Sequence, residues 1–267
     1  MIYSFENMST KELRDARQGI ADDIGALINA RLEAAIPLET LSDRGDKLLQ
    51  VVQEANGQKL VIRRFTADAV SVIEDNGLGF DDAWKAMHKQ FIDAGIVVLP
   101  SQLLVTEGEY PFTVVATYLE NGQALIEGSL KLKMELAYKL GKMLRGRYML
   151  HPQMLNEDMF MIETANDESE EVYLIDLDPI MMPRPITTNI AIFPGRQLDA
   201  EIVDGLDASY IDQLTRLFSD RWCKDGEKTP VLSTLFASLK ESLGPDGDSQ
   251  TARAHRDLLL RASSLNN

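Results

Sequence analysis

The stretch HPQMLNEDMFMI (residues 151–162), followed after a polar loop by VYLIDLDP (residues 172–179), decides the reading of this chain. An irregular segment opens at His151 and runs into the apolar MFMI; the charged residues NDESEE then separate it from a second apolar run, VYLI. Short apolar runs on either side of a polar turn predict a β-hairpin. Its second strand ends by presenting Asp176 and, just before Pro179, Asp178.

Toward the amino terminus, STKELRDARQGIADDIGALINARLEAA (9–35) begins with Ser9 and Glu12 at capping-box spacing. Leu13, Ile20, Ile24, Leu27 and Arg31 or Leu32 recur at helical intervals, which predicts a long amphipathic helix. KLLQVVQ and KLVIRRF are apolar strands joined by EANG, whose Asn56-Gly57 pair signals a hairpin. A loop containing Gly77 and Gly79 leads to FDDAWKAMHKQFIDAG, a helix stopped by Gly95. IVVLPSQLLVTE and FTVVATYLENG predict two more strands about a turn at Gly108, Glu109 and Pro111. Four strands, one intervening helix and the hinge-like YLENG compose a small amino-terminal lobe.

From Ser129 the pattern becomes helical. SLKLKMELAYKLGKMLRGRYML repeats Leu132, Leu136, Leu140 and Leu144 and leads into the His151 segment. MMPRPITTNIAIFPG is broken by three prolines and reads as loop. Helical patterns return at 207–223, 229–243 and 250–263. The expected organisation is residues 1–121 as the first helix plus the small lobe, and 122–267 as a helical large lobe carrying the segment 151–178.

Composition narrows the function. A net charge of −15 argues against a nucleic-acid surface, which needs clustered Lys and Arg. No apolar run approaches the ~18 residues that span a bilayer, and the first residues lack a basic start with an apolar core. One cysteine, Cys223, leaves no internal disulfide and no Cys/His zinc cluster, so a reducing cytoplasm is expected, with delivery by a signal-less secretion route equally compatible. Cys223, beside Trp222 in a helical pattern, reads as packing rather than nucleophile.

The order of these segments resembles the protein-kinase-like superfamily, especially its aminoglycoside- and small-molecule-phosphotransferase branch. That family carries H-x-D-x-x-x-x-N, a short hairpin and then an aspartate. The resemblance implies an α+β, two-lobed kinase-like fold: a small lobe with an antiparallel sheet plus helix, and a mainly helical large lobe. His151 holds the histidine position and supports the loop; Gln153 stands at the catalytic-aspartate position and Asp158 at the asparagine position. Asp158 and Asp176 are then the implied metal pair, with Asn156 available only in a shifted alignment that breaks the spacing to MFMI.

Nucleotide contacts carry over in the same way. Arg63 in LVIRRF stands where the family has a phosphate-binding lysine, and Asp82 offers an acidic partner on the next helix. Thr117, Tyr118 and Leu119 mark the segment whose backbone would receive the adenine. The glycine-rich phosphate loop is missing, since Gly45 is the one glycine between Ile36 and Gln53. ATP and Mg2+ are thus the implied cofactors, and a nucleotide or a protein the implied partners. Because Gln153 is no carboxylate base, the expected function is a pseudokinase with a nucleotide-binding or regulatory role. The rivals are an active, atypical ATP-dependent phosphotransferase acting on a small molecule or protein, and a nucleotide-independent interaction module docking through residues 9–35.

Overall fold

The computed structural model describes residues 8–43, 47–74, 79–105, 108–143, 148–149, 159–176, 184–185 and 222–242. The fold is α+β, built around a five-stranded antiparallel sheet. Helix α1 (Thr10–Glu33) starts as the sequence expects: the Glu12 amide donates to the Ser9 hydroxyl, and the Glu12 carboxylate accepts from the Ser9 amide. Strands β1 (Ile36–Asp43), β2 (Lys47–Gln53), β3 (Lys59–Phe65), β5 (Ser101–Val105) and β6 (Phe112–Thr117) form the sheet in the order β1-β2-β3-β6-β5. Helices α2 (Ala67–Glu74) and α3 (Phe80–Asp93) connect β3 to β4 (Val97–Val98).

The hairpin expected over KLLQVVQ and KLVIRRF forms, with Val51 opposite Val61 and Gly57 turning at φ 87°. Between α1 and α3, two elements escape the sequence reading. The first is β1, IPLETLSD, which has no apolar alternation because it lies at the sheet edge with almost every residue exposed. Its pairing with β2 shifts register twice, between Pro37 and Glu39 and between Thr40 and Ser42, leaving Leu38 and Leu41 as bulge residues. The second is α2, a short helix that lies where a loop was expected, opened by Thr66, whose hydroxyl accepts from the Ala69 amide. The single strand expected over IVVLPSQLLVTE is instead β4 and β5, interrupted at Leu99 and Pro100.

After β6 come β7 (Gln123–Ala124), a 3₁₀ turn at Leu125–Glu127 and α4 (Leu130–Met143). Later elements are β8 (Tyr148–Met149), β9 (Phe160–Thr164), β10 (Glu170–Leu174), β11 (Arg184–Pro185) and α5 (Lys228–Ser242). β9 and β10 adjoin in a second sheet of order β4-β10-β9-β7, as the sequence hairpin requires, with the Ala165 amide donating to the Ser169 carbonyl (2.8 Å) across the turn. Trp222 and Cys223 lie in a non-helical stretch before α5, where the sequence pattern predicts helix up to residue 223.

The chain divides into two compact units, Met1–Lys85 with Val98–Gly122 and Glu163–Glu171, and Ala86–Val97 with Gln123–Ile162 and Val172–Asn267. The first is built on the five-stranded sheet. One sheet face packs Val52, Leu60, Ile62, Leu104 and Val115 around Ile20 of α1. The other face ends in a stack of Phe65, Phe80 and Phe112, with ring centroids 4.9 and 4.6 Å apart.

The second unit centres on α4 against α5, burying Leu136, Ala137 and Leu140 beside Val231, Leu232 and Leu235. Phe160 meets Trp222 edge-on at 5.4 Å. Gly141 lets the helices touch: a Cβ there would stand 2.7 Å from the Ser238 Cβ and 2.8 Å from the Leu235 carbonyl oxygen. Among the described residues, no helix is long and apolar enough to cross a membrane.

His88 of α3 carries a pH-dependent share of stability. Burial pushes its pKa down from 6.5 to about 4. Between those values the unfolded chain takes up a proton that the native imidazole refuses, so stability falls as pH drops through this window and gains nothing above it. Urea titrations of wild type and His88→Gln should diverge from pH ~7.5 to ~5, the wild type losing about 2 kcal/mol more. Parallel pH profiles would show that His88 does not titrate on unfolding.

Candidate functional site

Arg63 sits in the middle of the central strand β3, opposite Leu49 of β2 and Val114 of β6, at 6% exposure. A guanidinium sunk among apolar strand positions is not solvated surface charge, because burying a charged head costs several kcal/mol unless it is paired. Strand alternation sets Arg63 on the sheet face that carries Phe65 and Phe112, opposite the face covered by Ile20 of α1. Asp82 lies exposed in the first turn of α3, where its charge suits the helix dipole. Among the described residues no ion pair joins it to Arg63.

The segment expected to receive a base ends β6. Thr117 and Leu119 are buried and Tyr118 is half-buried. The Tyr118 amide donates to the Lys59 carbonyl (3.2 Å), continuing the β3–β6 ladder by one residue. The Leu119 carbonyl accepts from the Gly122 amide (3.1 Å). Lys59 closes over the segment, with Nζ 2.9 Å from the Glu120 carboxylate and 5.7 Å from the Tyr118 ring centroid. The Tyr118 carbonyl accepts from Arg17 of α1 (3.4 Å), one of its two lone pairs being thereby occupied.

Asp176 is half-buried, two residues past the end of β10. The Ile175 amide donates to the Met159 carbonyl (2.8 Å), so the pairing that fixes the hairpin extends to the residue before it. His151, Gln153 and Asp158 lie outside the described residues, as do Asn156 and Asp178. Among the described residues no group of three or more His, Cys, Asp or Glu side chains is placed to hold a metal ion. Asp158, which the resemblance pairs with Asp176, falls in the undescribed segment.

Several charged residues were missed by the sequence reading. Arg17 is 1% exposed, and its guanidinium grips the Glu163 carboxylate of β9 and the Thr117 hydroxyl. Lys133 of α4 is fully buried, donating to the Ile126 carbonyl (2.7 Å) and the Glu227 carboxylate (2.6 Å). Burial acts to raise the Glu227 pKa, but Lys133 and the Lys224 amide outweigh it and the net shift is downward. That pair joins the start of α5 to the turn before α4, a structural task. Cys223 beside it is buried, and burial raises its pKa to about 11, which keeps the thiol protonated.

No protein-family model and no curated protein matches the chain. Solved structures similar to it include the Rio2 kinase from Chaetomium thermophilum in a complex with ADP, Mg2+ and phosphoaspartate. The identity there is 12% and the TM-score 0.42, covering 94% of this chain and 77% of the other. A second is the kinase domain of maize sucrose-induced receptor kinase 1 bound to AMP-PNP (11% identity, TM-score 0.38, 88% and 96% covered). A third is the pseudokinase domain of BIR2, an immune regulator of the RLK/Pelle family (14% identity, TM-score 0.36, 91% and 84% covered).

Proposed function

We propose that the chain is a kinase-like protein that binds nucleotide and transfers phosphate weakly or not at all. The observation that supports this reading is Arg63: a buried arginine in the middle of a five-stranded antiparallel sheet, followed in the chain by a long helix and by a hairpin that ends beside Asp176. Arg63 would take phosphate oxygens, with a planar fork in place of an ammonium. Asp158 and Asp176 would hold Mg2+, which when bound neutralises phosphate charge. Thr117 to Leu119 would receive the base through backbone groups, with the Tyr118 carbonyl keeping one lone pair for it. Gln153 would hydrogen-bond an acceptor hydroxyl without removing its proton, and the loss of base assistance lowers transfer by about 10²–10⁴-fold. His151 would brace the loop.

A second reading, a nucleotide-independent interaction module, draws support from the same segment, because the Tyr118 amide already donates within the sheet. Calorimetry with ATP and Mg2+, beside a phosphate-release assay on wild type and Asp176→Ala, separates the readings. Metal-dependent binding with turnover at background, weakened by Asp176→Ala, is the expected result. Robust turnover abolished by Asp176→Ala would make the protein an active phosphotransferase. No binding at any metal concentration would favour the interaction module.

A further inference from the structure

Two arginines on α1, three residues apart and so on one helix face, hold segments far from each other in sequence. Among the described residues Arg17 donates from Nε to Glu163 Oε2 (3.1 Å), from Nη2 to Glu163 Oε1, and from Nη1 to both Thr117 Oγ1 (2.8 Å) and the Tyr118 carbonyl (3.4 Å). Arg14, less buried, pairs with Glu171 of β10. One helix face therefore grips the end of β6 on one side and both strands of the β9–β10 hairpin on the other.

Apolar packing of Ile20 against the sheet already anchors α1, so anchoring alone does not account for a buried charge pair. Such a pair adds little net stability over an apolar equivalent; its distinctive property is that a forked guanidinium on a carboxylate admits one geometry, and every other leaves buried charge unsatisfied.

We infer that α1 is a clasp that fixes residues 117–118 relative to residues 163–171, with Arg17 the positioning residue for the segment that receives the base. The role toward nucleotide rests on the function proposed above; the clasp itself does not. Lysine could not replace Arg17, since a point charge cannot span Glu163, Thr117 and the Tyr118 carbonyl together.

The test uses the full chain with both charges of the buried pair removed, Arg17→Met with Glu163→Met, because deleting one partner would leave the other buried and unpaired. Hydrogen exchange at 117–122 and 163–171 should rise about tenfold or more while the far-ultraviolet spectrum stays native. ATP–Mg2+ affinity should fall about tenfold. A folded double variant with wild-type exchange in both segments would overturn the clasp. Faster exchange with wild-type ATP affinity would overturn the positioning role. If the wild type binds no ATP, the nucleotide reading fails and exchange alone decides the clasp. If the double variant does not fold, Thr117→Val removes one contact and keeps the fork: exchange should then rise at 117–122 and hold at 163–171, and no rise at 117–122 would overturn the inference.

Discussion

Gly141→Ala should destabilise the protein by about 2 kcal/mol, and Gly141→Leu by more than about 3, although both replace the poorer helix former. Helix propensity alone would reward the alanine by up to ~1 kcal/mol. Steric contact decides against it. The added Cβ would lie 2.7 Å from the Ser238 Cβ, 2.8 Å from the Leu235 carbonyl and 2.9 Å from the Ser238 hydroxyl, and two of these atoms cannot swing aside. α4 and α5 must part, which opens the interface around Leu140 and Leu235 and strains the 2.7 Å hydrogen bond from Ser238 to the Tyr138 carbonyl. Thermal and urea unfolding of the two variants would check this. An alanine variant as stable as wild type would mean that the helices yield without cost.

Arg17→Ala alone should cost about 3–5 kcal/mol, because it strands Glu163 without its counter-charge in a buried position. Removing Glu163 as well should restore much of that loss, so the single variants and the double variant close a thermodynamic cycle with a large coupling. The exposed pairs Lys11 with Asp15 and Lys89 with Asp93 should change stability far less when broken, because solvent screens them. A coupling near zero between Arg17 and Glu163 would show that the guanidinium finds water or another acceptor when its partner is lost.

The parts of the fold legible in sequence are those dictated by local chemistry. The Ser9–Glu12 cap, the Asn56-Gly57 turn and the apolar runs of β2, β3 and β6 each announce an element within a few residues. β1 was missed because an exposed edge strand needs no apolar face, and α2 because it follows β3 after the single residue Thr66 and its eight residues carry little periodicity.

At the site, Arg63 is marked in the sequence by its place in LVIRRF, where the resemblance puts a phosphate-binding lysine; its burial is what the structure adds. Arg17 left a signal too: it fills a position on the helix stripe between Leu13 and Ile20, where a charge demands a buried partner. What no spacing rule could supply is the identity of that partner, since Glu163 lies 146 residues away and meets Arg17 only once the chain has folded.

The doubled register shift of β1 bears on how the protein behaves at high concentration. Ile36, Leu38 and Leu41 stand exposed on a sheet edge, the arrangement that usually invites a neighbouring chain to add a strand. Fibrillar growth needs an unbroken run of evenly spaced backbone donors and acceptors. Here the rhythm breaks after Pro37 and again after Thr40, and Pro37 has no N–H to offer. An incoming strand stays in phase for only a few residues, so the greasy rim does not template its own extension.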